Sequence, residues 1–217
     1  MADHLEIEQK FDADPDFERP DFAAVTTGVA AAAPVLHRLS ATYFDTADGR
    51  LQAAKITLRR RTGGTDAGWH LKLPAGGPAG GGPAVPAGVS ARRELHEPLE
   101  CAGTDGAGGP AVPGRLASRV AEVTGGLPLA PIAILVTERT VLTLTSADGT
   151  PLAEIADDQV TARRLPETSA APIRWREIEV EVPAAVPQLQ QAVADRLLTA
   201  GARPAGHGSK LARLLST

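Results

Sequence analysis

Glu6-Ile7-Glu8-Gln9-Lys10 near the start of the chain and Glu177-Ile178-Glu179-Val180-Glu181 near its end decide how the sequence is read. Both alternate with the period of an extended strand, in which every second side chain shares a face. Glu6, Glu8 and Lys10 therefore project together, and so do Glu177, Glu179 and Glu181. Carboxylates stacked this closely repel one another. Such a face is sustained by open solvent or by bound cations, and hard divalent ions need clustered oxygen ligands.

Working outward, the same alternation predicts strands at His4–Phe11, Ala41–Asp45, Ile56–Thr62, Gly68–Leu73, Ser90–Glu97, Ile132–Thr145, Pro151–Val160 and Trp175–Val182. Asp48-Gly49 and Asp148-Gly149 are turn dipeptides, and the second joins two strand-like runs as a hairpin. Helices are expected at Asp16–Ala30, Gly114–Thr124, Val186–Ala200 and Ser209–Leu215, the last capped by Ser209. Pro74–Gly88 and Ala102–Pro113 are nearly all Gly, Pro and Ala and read as loops, not as domain boundaries. Many antiparallel strands with short connections predict a barrel or sandwich.

The charges follow the strands. Arg59 and Arg61 share a face, with Arg60 on the other. Arg92 and Glu94 alternate with His96; Glu154, Ala156 and Asp158 share a face; Lys72 and Arg139 sit inside apolar runs; Lys210 opens the last helix. A solvated outer face explains any one of these strands. Across six or seven strands that explanation weakens: if the charged faces line one closed barrel, the apolar residues form the outer layer facing helices and the charges turn inward. Guanidinium and ammonium groups suit phosphate oxygens, and carboxylates suit Mg²⁺ or Mn²⁺. Tyr43, Trp69 and Trp175 read as core or rim residues, and His96 and His207 as ordinary surface or loop histidines.

Composition limits the alternatives. The chain has 217 residues, 43% of them hydrophobic, which fits one domain. A net charge of −4 gives no global field for nucleic acid. Cys101 is alone, MADHLEIEQK has no basic region followed by an apolar stretch, and no apolar run approaches a membrane span, so a cytoplasmic protein without a membrane partner is expected.

With these elements in order, the chain resembles the CYTH domains, or triphosphate tunnel metalloenzymes. Glu6-Ile7-Glu8-Gln9-Lys10 matches their E-x-E-x-K opening, and Tyr43-Phe44-Asp45-Thr46 followed by Leu51 is similar to their Y-F-D-T segment. Leu58-Arg59-Arg60-Arg61, Leu71-Lys72-Leu73, Arg92-Arg93-Glu94 and Arg139 resemble the basic strands. Ala156-Asp157-Asp158, Glu177-Ile178-Glu179-Val180-Glu181 and Ser209-Lys210 complete the series. Thr137 departs from the basic residue many members carry there, and Pro74–Gly88 is long for the family.

The resemblance implies an α+β fold: an eight-stranded antiparallel β-barrel enclosing a hydrophilic tunnel, flanked by helices. It implies one CYTH-like domain over residues 1–217, which in some relatives precedes a helical CHAD domain. It implies metal-dependent hydrolysis of inorganic tripolyphosphate, thiamine triphosphate or a nucleoside triphosphate. Lys10, Arg59, Arg61, Lys72, Arg92, Arg139 and Lys210 would bind phosphate; Glu6, Glu8, Asp158, Glu177 and Glu179 would hold Mg²⁺ or Mn²⁺; Tyr43 with Lys72 would position the water. Asp157 competes with Asp158, and alternation with Glu154 favours Asp158. The alternatives are a class IV adenylate cyclase and a non-catalytic polyphosphate-binding module.

Overall fold

The computed structural model describes residues 2–23, 25–75, 89–101, 109–167, 170–182 and 187–217, with the backbone alone for 2–6 and 187. Its long strands are β1 (Ala2–Ala13), β3 (Val35–Asp45), β4 (Thr57–Thr62), β5 (Gly68–Pro74), β6 (Val89–Glu97), β7 (Ala130–Ser146), β8 (Pro151–Arg164) and β9 (Ile173–Glu181). They run antiparallel in the order β1-β6-β5-β4-β3-β7-β8-β9, and β9 pairs back onto β1 to close an eight-stranded barrel. Two short strands, β2 (Val29–Ala31) and β10 (Arg203–Pro204), pair with β7 and β1 outside this circuit.

Alternation along the strands sorts the side chains into two layers. One outer layer gathers Phe11, Leu144, Ile155, Ile178 and Val180 under α4 (Pro187–Thr199), whose Leu189, Val193 and Leu197 are buried against them. The opposite outer layer packs Phe44, Leu58, Trp69, Leu71 and Leu95 against Leu51 of α1 (Arg50–Ala53) and Leu116 of α2 (Gly114–Arg119). The inner face is apolar at one end only. There Ala41, Ala133, Leu135, Val160 and Ala162 meet Leu211 and Leu214 of α5 (Lys210–Ser216), so the last helix fills that end of the barrel.

The Asp45 carboxylate fixes the turn after β3. It is 1% exposed and accepts from the main-chain N–H of Thr46 (2.7 Å), Leu51 (2.8 Å) and Gln52 (3.0 Å). The last two are donors that the start of a helix leaves without partners, so the aspartate of Tyr43-Phe44-Asp45-Thr46 is a structural clamp on α1.

Two expected helices are corrected. No helix forms over the described residues of Asp16–Ala30, which make turns leading into β2. Pro15 and Pro20 lack a donor, Val25, Thr26 and Thr27 are β-branched, and Gly28 takes φ +79°. Arg176 Nη1 secures this segment by donating to the carbonyls of Phe17 (2.7 Å) and Pro15 (3.2 Å). The expected Gly114–Thr124 helix breaks at Val120 into α2 and α3 (Ala121–Thr124). The Asp48-Gly49 turn leads into α1, whereas Asp148-Gly149 makes the β7–β8 hairpin, with Ser146 N donating to Thr150 O at 2.9 Å. Most of the two Gly/Pro/Ala stretches, residues 76–88 and 102–108, lies outside the described residues. Ser209 caps α5 by accepting from Ala212 N at 3.1 Å.

Candidate functional site

Above the apolar plug formed by α5, the inner faces of seven of the eight barrel strands carry charge, and β3 contributes Tyr43. Register brings these side chains level: Lys10 lies opposite Glu179, Arg139 opposite Asp158, Asp158 opposite Glu177, Arg59 opposite both Tyr43 and His70, and Lys72 opposite Glu94. They surround a cavity of about 310 Å³, lined by Lys10, Arg59, Arg61, Lys72, Arg92, Arg139 and Lys210 together with Glu8, Glu94, Glu154, Glu179 and Glu181.

The wall built by β8 and β9 is a carboxylate cluster. Asp158, Glu177 and Glu179 each place an oxygen within 4.8 Å of the others. Lys210 Nζ reaches all three, at 2.8 Å from Asp158, 2.7 Å from Glu177 and 2.8 Å from Glu179. Arg139 forks onto Asp158 (2.8 and 2.6 Å) and also donates to Glu179 (2.6 Å). Lys10 donates to Glu8 at 2.8 Å and to Glu179. Trp175 Nε1 donates to Glu177 at 2.5 Å, so the predicted packing residue also orients a carboxylate.

Electrostatics follows from this contact set. Burial raises the carboxylates, but Lys10, Lys210 and Arg139 outweigh it and hold Glu179 well below the ordinary range. Burial likewise opposes, and Lys210 with Arg139 overcomes it, to lower Asp158. Glu8 is lowered against burial chiefly by Lys10. Burial lowers Lys210, yet Asp158, Glu177 and Glu179 drive it well above its usual value. A cluster of hard oxygen donors at this spacing, held together by ammonium groups, fits a divalent cation.

The wall built by β3 to β6 is mainly cationic. Arg59 donates to the Tyr43 hydroxyl at 3.4 Å. Burial raises that phenol, but Arg59, then Lys210 and Lys72, bring it below its usual value. Arg61 is ion-paired to Asp66; burial and the neighbouring Arg59 and Arg139 charges lower it to about 9, so it stays cationic at neutral pH. Lys72 Nζ lies 3.6 Å from Glu94. Arg92 donates to the carbonyl of Gly208, just before the plug helix.

Most of the residues expected from sequence line this cavity; Asp158 and Glu177 adjoin it through Glu179, their neighbour in the carboxylate cluster. Asp158 and Glu177 join Glu8 and Glu179 in the acidic wall, while Asp157 lies on the outer face, forked by Arg176 at 2.8 Å through both nitrogens. The Glu6 side chain lies outside the described residues; its backbone pairs with Arg92. Arg60 and Arg93 fall outside the cavity lining. His96, expected as a surface or loop residue, lines the cavity instead, its ring centroid 4.8 Å from that of His70 with the planes tilted by 57°. Its Nε2 lies 2.1 Å from where a Cβ on Gly68 would be, so only glycine fits at Gly68. Sequence reasoning passed over His70 and Asp66, and gave Glu94 no role in the site. His70 was readable from its shared face with Lys72; Asp66 sits in a turn with no periodic signal.

The CYTH domain family matches residues 4–213. An uncharacterised protein of Mycobacterium tuberculosis (strain H37Rv) is 40% identical over 226 residues, covering 99% of this chain and 40% of that protein, and its counterpart in strain CDC 1551 matches equally. The chain thus spans about 40% of the length of the curated relatives it matches. Among solved structures, a provisionally assigned adenylate cyclase from Bacillus halodurans is similar with a TM-score of 0.58 and 18% identity, over 98% of each chain. A provisionally assigned adenylyl cyclase from Hippeastrum, described as having a dominant triphosphatase activity, gives 0.52 and 20% identity over 97% of this chain and 95% of that one. No helix among the described residues is long and apolar enough to cross a membrane.

Proposed function

The chain belongs to the CYTH domain family, and from that premise we propose that it is a metal-dependent triphosphatase, hydrolysing a triphosphate held inside the barrel. One observation carries the reading: seven lysines and arginines from five strands and the plug helix line the same cavity as an acidic wall that includes a three-carboxylate cluster. A solvated face would not bury Asp158 to 0% exposure or Lys210 to 8%. The Hippeastrum protein's triphosphatase activity supports the same reading.

Arg59, Arg61, Arg92 and Arg139 would fork onto phosphate oxygens, with Lys10, Lys72 and Lys210 adding compact charge. Glu8, Asp158, Glu177 and Glu179, with Glu6, would hold Mg²⁺ or Mn²⁺. Bound there, a divalent cation would neutralise phosphate charge and lower the pKa of a coordinated water. Tyr43, its hydroxyl lowered by Arg59, would position the attacking water together with Lys72. The cations would stabilise charge on the equatorial oxygens and on the departing diphosphate. The lone exposed Cys101 suits a reducing compartment such as the cytoplasm.

The test is phosphate release from tripolyphosphate, thiamine triphosphate and ATP with Mg²⁺ or Mn²⁺, with cyclic AMP assayed in parallel. We expect metal-dependent phosphate release that Glu8→Gln largely abolishes. Cyclic AMP without phosphate would make the protein a cyclase. Tight triphosphate binding with neither product would make it a binding module.

A further inference from the structure

Glu94 poses an electrostatic problem. It is 6% exposed and stands apart from the converging trio of Asp158, Glu177 and Glu179. Its charged neighbours include Lys72 and Arg59, the groups assigned above to phosphate. A bare carboxylate at that place would repel the substrate.

His70 addresses it. Its Nδ1 lies 2.6 Å from Glu94 Oε1 and its Nε2 lies 3.0 Å from the main-chain carbonyl oxygen of Asp66. A carbonyl only accepts, so Nε2 carries a proton. A 2.6 Å contact between Nδ1 and a carboxyl oxygen is the spacing at which the two can share a second proton, on the ring or on the carboxyl, so the pair is arranged in advance for its protonated form. The pair is built to share one.

The surroundings decide when that proton is held. Facing the pair are Arg59 and Arg61 from β4, Lys72 from β5, His96 from β6, Asp66 from the β4–β5 turn, Tyr43 from β3 and, across the cavity, Arg139 from β7. Burial, with Arg59 and Arg61, pushes His70 down to about 3. Burial raises Glu94, but the His70 contact, Lys72 and Arg59 together bring it far below its ordinary range. Before phosphate binds, the cations therefore disfavour the shared proton. Phosphate oxygens would engage those same cations and set negative charge beside the pair, and both changes favour protonation.

We propose that His70 and Glu94 form a proton-sharing pair that takes up one proton when a triphosphate enters the cavity, converting a repelling carboxylate into part of a neutral, hydrogen-bonding wall. The proposal rests on the triphosphate reading above and adds to it that binding is proton-linked. By reciprocity, affinity falls by up to about tenfold per pH unit between the pair's free and bound titrations.

The experiment is isothermal titration calorimetry of tripolyphosphate into the full chain with EDTA, in buffers of different ionisation enthalpy, for the wild type, Glu94→Gln and His70→Gln. We expect both variants to bind and to take up about one proton fewer than wild type, with a correspondingly shallower pH dependence of Kd. Equal proton uptake in all three would overturn the proposal and leave the triphosphate reading standing. No binding by the wild type would overturn both. Should a variant fail to fold, the His70 Nδ1 resonance in the ¹⁵N-labelled wild type gives the answer: it should move on saturation with tripolyphosphate, and a fixed resonance would overturn the pairing.

Discussion

Replacing Lys210 by methionine tests the acidic wall through stability as well as activity. Methionine keeps the length and apolar stem of the side chain, so packing beside Leu211 and Leu214 changes little, while the ammonium within 2.7–2.8 Å of three carboxylates is lost. Removing one partner from a buried ion pair costs about 3–5 kcal/mol, because the other charge is left uncompensated. Here Arg139 still pairs with Asp158 and Glu179, and Lys10 with Glu179, leaving Glu177 as the main orphan, with only the Trp175 N–H beside it. The lower end, about 3 kcal/mol, is therefore expected in EDTA. For a chain of this size that lowers Tm by roughly 6–12 °C. The freed carboxylates should attract a cation more strongly, so millimolar Mn²⁺ should raise the Tm of Lys210→Met by more than it raises that of wild type. Differential scanning calorimetry with EDTA and with Mn²⁺ reads both quantities. A variant that melts within about 2 °C of wild type in EDTA, or gains no more from Mn²⁺, would refute the claim that this lysine compensates a metal-binding cluster.

Two further outcomes are expected. Arg59→Ala should weaken tripolyphosphate binding by roughly 10- to 150-fold, the loss of a charge-assisted hydrogen bond worth about 1.5–3 kcal/mol, whereas Arg60→Ala on the opposite face should leave Kd within about twofold; calorimetric Kd values checking this would sink the register of β4 if the two effects were reversed. Asp45→Ala should cost about 2–4 kcal/mol in urea unfolding, since it strands two main-chain donors at the start of α1 and a third, Thr46 N, in the turn before it; a loss below about 0.5 kcal/mol would show that water replaces the clamp.

The legible part of this molecule is the part with period two. Leu58-Arg59-Arg60-Arg61 puts two arginines on one face whichever strand lies beside it, and Glu154 with Asp158 separates the lumen aspartate from Asp157. What alternation cannot supply is the partner across the sheet. Nothing local in His70 or Glu94 announces their 2.6 Å contact, which comes from the β5–β6 register. The segment 16–30 misled for a related reason. Its apolar residues are spaced as if for a helix, yet Phe17 and Phe22 are buried individually in the outer core while Arg176, far along the chain, ties down the backbone. The serine cap of α5 was visible in sequence; that the helix would sit inside the barrel end was not, because Leu211 and Leu214 look the same whichever apolar surface receives them.

Closure of β1 against β9 has a temporal consequence. Lys10 and Glu179, in direct contact, are 169 positions apart, and Lys210 reaches the same carboxylate from later still. On the ribosome, β1 emerges early and has β6 for one neighbour, but its other edge waits for β9. Until β9 emerges, the nascent chain therefore carries an open strand edge and cations, Lys10 and Arg139 among them, whose carboxylate partner Glu179 is still to come. Such edges invite pairing with other chains, and contacts this distant in sequence slow the final step of folding. The site comes into being only when β9 and the plug helix have both arrived, so a chain interrupted before residue 210 would lack both a closed barrel end and the charge that lets the carboxylates lie together.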